Sequence, residues 1–228
     1  MTRIEGSRRP IAMAASRDVR ATKAEEKPAS FRLIEGSRSP DGRYAIGWGF
    51  ASPNVDFGSF RQQDGSFGTD LGAAELHNFI VDCRRNVAVA ETPGTHPGDR
   101  KSYNHNSNDV TWSSNSKYLV QLNNSKWETG VGSVYSLDSN GKIAGPADLL
   151  AAARMATKEL GQQHLSTDDY AVSLTNVKVS DNGLVRCTLV GEIPRGEGFQ
   201  AEVLFKSTVD SRGKLSLKLQ GAAQPVGE

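Results

Sequence analysis

The stretch from residue 108 to residue 121 decides the fold of this chain. It reads Asn108-Asp109-Val110-Thr111-Trp112-Ser113-Ser114-Asn115-Ser116-Lys117-Tyr118-Leu119-Val120-Gln121. A short strand ends at Trp112, and a second strand places Tyr118, Val120 and Leu122 on one face, because strand side chains alternate with a period of two. The small polar residues between the strands are typical of a tight turn. The stretch therefore predicts two antiparallel strands joined by a short corner.

An earlier copy of this turn occurs near the start of the ordered part of the chain. It reads Ser39-Pro40-Asp41-Gly42-Arg43-Tyr44-Ala45-Ile46. Proline fixes φ at the first central position, aspartate bonds the backbone locally, and glycine accepts the positive φ that follows. From residue 43 to residue 50 the large side chains alternate with small ones, which predicts a strand.

The rest of the chain repeats this pattern of strands joined by short turns. Residues 78–83 and 86–90 form one predicted hairpin, and a turn at residues 138–141 closes another. The C-terminal part, residues 169–220, predicts a four-stranded antiparallel meander with one buried and one wet face. A faint third echo of the turn lies at Ser180. We expect a mainly β protein of antiparallel meanders in a blade-like pair of sheets, open rather than a full propeller, with one α-helix.

The predicted helix spans residues 146–161. Pro146 suits the first helical position, Asp148 complements the N-terminal dipole, and Gly161 is a natural stop. One face of this helix collects its apolar residues, which are Leu149, Ala153, Ala156 and Leu160.

Composition predicts the domain organisation. Residues 1–30 contain no Phe, Trp, Tyr or Leu, so they cannot bury enough apolar surface to fold, and we expect this segment to be disordered. Residues 31–228 are expected to form a single β-rich domain, with hairpins over residues 31–144. Two long polar connections, residues 51–75 and 91–109, are typical of functional or mobile loops.

Charge and hydropathy exclude some partners. The chain has 228 residues, a formal net charge of +1 and 37% hydrophobic residues. Near-neutral charge gives no whole-molecule attraction for nucleic acid, and no apolar run approaches the roughly 20 residues that span a bilayer.

Cys83 and Cys187 each lie in an apolar strand pattern, which indicates two buried thiols, with a long-range disulfide as the alternative.

The two turn copies carry a family resemblance. The earlier copy resembles the turn repeated in propeller blades of the TolB and WD-related kind, and the later copy is similar, although Ser114-Asn115 replace Pro-Asp. The order of elements over residues 39–161 also resembles uncharacterised bacterial β-rich proteins that are often exported. In those proteins an Asn-His pair, here Asn104-His105, precedes the Trp turn. The resemblance implies a strand–turn–strand scaffold and says almost nothing of function.

The sequence lacks the motifs of several familiar classes of enzyme. There is no G-x-S-x-G, phosphate-loop, H-E-x-x-H or C-x-x-C motif, and we expect no cofactor. One loop collects imidazole and carboxylate groups that could bind a divalent metal or move protons. Its members are His96, Asp99, His105 and Asp109, with His77 and Asp70 as further candidates. The alternative interpretation is that they are solvated turn residues, with His105 bonded to the backbone.

The binding hypothesis takes the two long connections, residues 51–75 and 91–109, as the contact surface. Of the three tryptophans, Trp127 lies in the most polar stretch and is the one we expect to be exposed, with Asn104 and His105 as further ligand-binding candidates. We therefore predict a β-rich binding protein without evident catalytic machinery, whose partner is a protein or a glycan. The alternative function is a metal-dependent hydrolase that uses residues 96–109.

Two signals disagree about location. The apolar run at residues 11–15 is too short for a signal peptide, which predicts a cytoplasmic protein. The resemblance instead implies a periplasmic or secreted protein. A start codon assigned too far downstream would reconcile the two, and the upstream DNA would show it.

Overall fold

The computed structural model describes residues 31–50, 76–94, 107–158, 171–192 and 198–226. The predictions for residues 1–30 and 51–75 lie outside this part of the chain. The described residues form one helix and thirteen strands. In chain order these are β1 (Phe31–Leu33), β2 (Tyr44–Phe50), β3 (Leu76–Asp82), β4 (Val87–Thr92), β5 (Ser107–Trp112), β6 (Tyr118–Asn124), β7 (Thr129–Leu137), β8 (Ile143–Asp148), α1 (Leu149–Ala156), β9 (Ala171–Val179), β10 (Leu184–Glu192), β11 (Phe199–Val209), β12 (Leu215–Leu219) and β13 (Gln224–Pro225).

The strands form three antiparallel sheets in chain order. The first sheet holds β1 to β4, the middle sheet holds β5 to β8, and the third sheet holds β9 to β12 with β13 beside β11. The prediction of a mainly β protein with antiparallel meanders and one helix is confirmed. The expectation of only a pair of sheets is wrong, because the C-terminal meander forms a complete third sheet. Within the described ranges the sheets do not close into a ring.

The middle sheet buries both of its faces. Leu119, Tyr135 and Leu137 point into a core shared with the first sheet, where Tyr44, Ile46 and Trp48 meet them. Alternate residues of the middle sheet, Val120, Leu122 and Val134, point the opposite way into a second core shared with the third sheet and α1. The third sheet contributes Val185, Leu189, Val203 and Phe205 to this core. Because successive side chains of a strand point to opposite faces, one strand supplies both cores.

The decisive stretch folds as the sequence predicts. Strand β5 pairs with β6, and Trp112 lies opposite Leu119. In the corner between them, the Ser113 hydroxyl accepts a hydrogen bond from the Tyr118 amide at 2.9 Å and donates to Asn115 Oδ1 at 2.8 Å. The corner ends at Ser116 with a φ of 61°, where the earlier copy has Gly42 at 69°.

A related corner, bonded by a serine hydroxyl, occurs in each of the other two sheets. Ser39 accepts from the Tyr44 amide at 2.9 Å, and Ser180 accepts from the Leu184 amide at 3.0 Å. The faint echo at Ser180 is therefore a third serine corner, one residue shorter than the other two. Its sequence hides this because Asn182 stands where the first copy has an aspartate.

These corners also bond to one another across the sheets. The Asp41 amide donates to Ser116 Oγ at 3.1 Å, and Asp181 Oδ1 accepts from the Asn115 amide at 2.8 Å. Six short connections, at residues 39–42, 83–86, 113–116, 138–141, 180–183 and 210–213, lie at the same ends of the strands, which we name the turn edge. The connection at residues 125–128 and the start of α1 lie at the opposite ends, which we name the loop edge.

The helix begins later than the sequence predicts. Residue Pro146 lies in β8, at the edge of the middle sheet, where a strand tolerates proline because its outer side needs no amide donor. The helix instead starts after Asp148, whose carboxylate caps it by accepting from the Ala151 amide at 2.9 Å. Leu149 and Ala153 are buried as predicted. The predicted stop at Gly161 lies outside the described residues.

In the described part of the chain, no helix has the length and apolar character to cross a membrane.

The two cysteines are unpaired. Cys187 is buried in the third sheet and Cys83 is partly buried at the end of the first. The middle sheet separates these two sheets, so the disulfide alternative is wrong. Burial, with a smaller contribution from the Glu202 charge, raises the pKa of the Cys187 thiol to about 12, which keeps it protonated and unreactive at neutral pH.

The turn edge contains a buried carboxylate. Asp82 is buried, and its oxygens accept hydrogen bonds from the Arg84 and Arg85 amides and from the Arg85 guanidinium. Burial raises the pKa of Asp82, but these hydrogen bonds and the Arg85 charge outweigh burial, so its pKa lies below the usual value.

We predict that Ser113→Ala lowers the free energy of unfolding by about 1–3 kcal/mol, because the partly buried hydrogen bond of the Tyr118 amide loses its acceptor. Urea unfolding followed by circular dichroism measures the change. Ser211→Ala, at an exposed turn position, serves as the control and is expected to leave stability unchanged. An equal effect of both substitutions would show that the Ser113 corner does not stabilise the sheets.

Asp82 predicts a pH dependence of stability. Because its folded pKa is lowered, it stabilises the protein above its usual pKa of about 3.9, and this stabilisation is lost as the pH falls through the folded pKa. The difference in unfolding free energy between wild type and Asp82→Asn should therefore shrink on acidification. A difference that is constant from neutral to acidic pH would contradict this assignment.

Candidate functional site at the loop edge

The structure describes only some of the predicted site residues. His96, Asp99, Asn104 and His105, together with Asp70, lie outside the described residues, and their predicted roles stay predictions. Asp109, His77 and Trp127 are described. Trp127 and Asp109 both lie towards the loop edge, on the connection after β6 and on β5 respectively.

Trp127 is the exposed tryptophan, as predicted. Its exposed fraction is 66%, whereas that of Trp48 is 3%. Trp112 packs against the first core, and its indole N–H donates to the Ser37 carbonyl at 2.8 Å. The other two tryptophans are therefore structural, and Trp127 alone among them presents its ring to solvent.

The loop that carries Trp127 is held by hydrogen bonds. Ser125 Oγ accepts from the Trp127 amide at 3.3 Å and from the Glu128 amide at 3.2 Å. Ser173 on β9 donates to the Trp127 carbonyl at 3.4 Å, and the Lys126 ammonium lies 4.5 Å from the indole ring centre. The exposed ring is thus presented from an ordered backbone.

Neither described member of the predicted metal group lies in a metal-binding cluster. Asp109 Oδ2 accepts a hydrogen bond from Asn124 at 2.8 Å, and His77 Nδ1 contacts the Glu91 carboxylate. Across the described ranges, no three His, Cys, Asp or Glu side chains come close enough to share an ion. The hydrolase alternative rests on residues outside these ranges.

A groove of about 330 Å³ opens at the loop edge. One wall is the start of β7 at residues 130–133, and the opposite wall is the first turns of α1, with Leu150, Ala151 and Arg154. Pro93, at the end of the first sheet, and Pro146 and Asp148, at the end of β8, complete the lining. The volume lies at the lower end of the range of ligand pockets, roughly 300–1,000 Å³.

The groove exists because β8 is shorter than β7. Strand β8 pairs with β7 only from Ser133 to Leu137, and at Asp148 the chain leaves the sheet to begin α1. Thr129, Val131 and Gly132 of β7 pair with β6 on one side, while no described strand pairs with them on the other. This stretch of main chain borders the groove.

A layer of polar side chains is buried between the first and middle sheets, behind the groove. Its members are Asn78, Thr92, Asn108, Gln121 and Asn123. They share a face with the apolar core because Leu119, Gln121 and Asn123 alternate along β6. Asn108 joins the two sheets by donating to Asn78 Oδ1 at 3.5 Å. Gln121 and Asn123 lie directly opposite the groove-lining residues Ser133 and Val131.

The described residues do not provide a hydrogen-bond partner for every polar atom of this layer. Within them, both ends of the Gln121 amide and of the Asn123 amide, together with Thr92 Oγ1 and Asn108 Oδ1, have no hydrogen-bond partner. Gln121 has no exposed surface. A buried polar group without a partner costs about 1–3 kcal/mol, so native proteins pair almost all of them. The layer therefore points to a bound polar species, water included.

Sequence reasoning missed both the groove and the polar layer. The signal for the layer was present, because Leu119, Gln121 and Asn123 occupy the same face and the last two are amides where a core would have apolar residues. The groove left no such signal. It depends on where β8 ends relative to β7, and the sequence suggested that the helix began three residues earlier.

No family model, curated protein or solved structure matches this chain.

We predict that Gln121→Met, a change of similar volume, raises the free energy of unfolding by about 1–3 kcal/mol, because it removes buried amide groups that lack protein partners. Thermal and urea unfolding measure the change. Gln200→Met, at an exposed position, is the control and should be neutral. A loss of stability in Gln121→Met would instead show that the amide is hydrogen-bonded in solution, most simply to buried water.

Proposed function

We propose that this chain is a non-catalytic binding protein whose contact surface is the loop edge. The observation that carries the proposal is that an exposed, anchored tryptophan and an open groove occur at the same edge. Trp127 precedes Gly130, the first groove residue of β7, by one short segment of chain. The partner class is a protein or a glycan.

The energetics favour a binding role for Trp127. Burial of apolar surface contributes about 25 cal/mol per Å², and a tryptophan can bury 150–250 Å². An exposed ring on an ordered backbone keeps this gain available for a partner at little cost in conformational entropy. Tryptophan is accordingly enriched among the residues that dominate binding at protein interfaces.

The scaffold suits this role. Three stacked meanders with hydrogen-bonded corners at one edge leave the opposite edge free to vary, and binding residues tend to lie on loops held by a rigid scaffold. Consecutive propeller blades stack in a comparable way, which supports the resemblance to TolB and WD-related blades as a proposal about the scaffold. Scaffolds of this kind host many functions, so the proposal rests on the site and not on the fold.

We predict that Trp127→Ala weakens partner binding by about tenfold or more, which corresponds to about 1.4 kcal/mol or more, while the fold survives. The probes are a glycan array and a phage-displayed library of random linear peptides, with each hit measured by titration. Val209→Ala is the matched control, because Val209 is an exposed apolar residue near the turn edge, with 46% of its surface exposed.

Circular dichroism spectra of both variants should match the wild type. If every wild-type hit binds Trp127→Ala and Val209→Ala with unchanged affinity, the ring of Trp127 is not part of the contact surface.

A further inference from the structure

We infer that the loop-edge groove binds an extended polypeptide segment, which adds as a strand to residues 130–132 of β7. The inference rests on the proposed binding function and names its ligand class. It follows from three features of the described residues: an unpaired strand edge, the walls of the groove, and the unpartnered amides behind it.

The unpaired edge is the first feature. Thr129 is buried and accepts a hydrogen bond from the Leu174 amide, whereas residues 130–132 line the groove, and no described strand pairs with them on the groove side. An exposed edge offers main-chain N–H and C=O groups at strand spacing, which is a template for another extended chain. The pairing of β6 with β7 shifts register here and leaves Gly130 unmatched, and bulges of this kind are common at sheet edges and beside binding sites.

The walls of the groove fit the side chains of such a segment. Leu150 and Ala151 of α1 face the strand edge across the groove, and Pro93 and Pro146 close it. Alternate side chains of an added strand would contact these apolar groups, as in other cases of strand addition. The two ionisable residues in the lining, Asp148 and Arg154, have opposite charges, so the groove has no net charge to select a strongly acidic or basic ligand.

The polar layer is the independent third feature. Gln121 is fully buried, and its amide has neither a donor nor an acceptor partner among the described residues. It lies opposite Ser133, and Asn123 lies opposite Val131, so both amides flank the strand that forms the groove wall. A side-chain amide has the same donor and acceptor groups as a peptide unit and can bond both of its groups.

These features favour a polypeptide over a sugar. A sugar presents hydroxyl groups without a strand repeat, whereas the edge of β7 repeats its donors and acceptors at the spacing of an extended main chain.

The test uses the full chain and a phage-displayed library of random linear peptides. Peptides selected by the wild type are synthesised, and their affinities are measured for wild type, Ala151→Arg and Met155→Arg. Both substitutions place arginine at an exposed position of α1, but only Ala151 lines the groove, whereas Met155 has 65% of its surface exposed elsewhere on the helix. We expect Ala151→Arg to weaken binding by about tenfold or more and Met155→Arg to leave it unchanged, with equal melting temperatures.

A second measurement tests the strand geometry. Each backbone amide of a selected peptide is methylated in turn, which removes one main-chain donor. Strand addition predicts that binding is lost at alternate positions only, and that hydrogen exchange slows for residues 130–132 when the peptide binds.

The outcomes separate this inference from the proposed function. If no peptide is selected, or if methylation shows no alternation, strand addition is wrong, and a loss of glycan binding in Trp127→Ala would still support the loop-edge function. If selected peptides bind Ala151→Arg and Trp127→Ala as tightly as wild type, both proposals fail.

Discussion

The structure depends on the burial of both faces of the middle sheet. Leu119 and Tyr135 pack on the first sheet, while Val120 and Val134, their immediate chain neighbours, pack on the third. Full burial of such side chains stabilises a protein by about 1.5–3 kcal/mol each, and both sets lie on strands of one sheet. A register slip of one residue in β6 would exchange the two sets and disrupt both cores at once. This explains why the corner from Ser113 to Ser116, which fixes the register of β5 against β6, is so fully hydrogen-bonded.

The turn edge stabilises the sheets, whereas the loop edge carries the surface proposed for binding. At the turn edge, corners from all three sheets bond to one another, and Asp41 and Asp181 use backbone and side-chain groups for these links. At the loop edge, β8 leaves the sheet early, α1 begins, and Trp127 is exposed. The tightly bonded turn edge sets the sheet geometry, so the loop edge can carry an unpaired strand segment and a groove without loss of the overall fold.

The unpartnered amides of the polar layer lower the stability of the fold. Leucine or methionine at Gln121 would complete the core between the first and middle sheets, yet both ends of the buried amide lack partners among the described residues. Departures from good core packing concentrate at functional sites, because those sites need groups that folding alone does not favour. The position of the layer against the strand that lines the groove agrees with this view.

The sequence by itself determined the local structure. Alternation fixed β2 and β6, and the corners at Ser39 and Ser113 were predictable because proline, glycine and short polar side chains select turn geometry within a few residues. It also identified Trp127 as the exposed tryptophan, since its neighbours are polar. Only the tertiary structure decided that there are three sheets, that Pro146 lies in a strand and does not start a helix, and that a groove opens beside residues 130–132. These features depend on contacts between residues far apart in the chain, such as Ser133 with Asp148 and Gln121 with the first sheet, and no local pattern encodes where one strand stops relative to another.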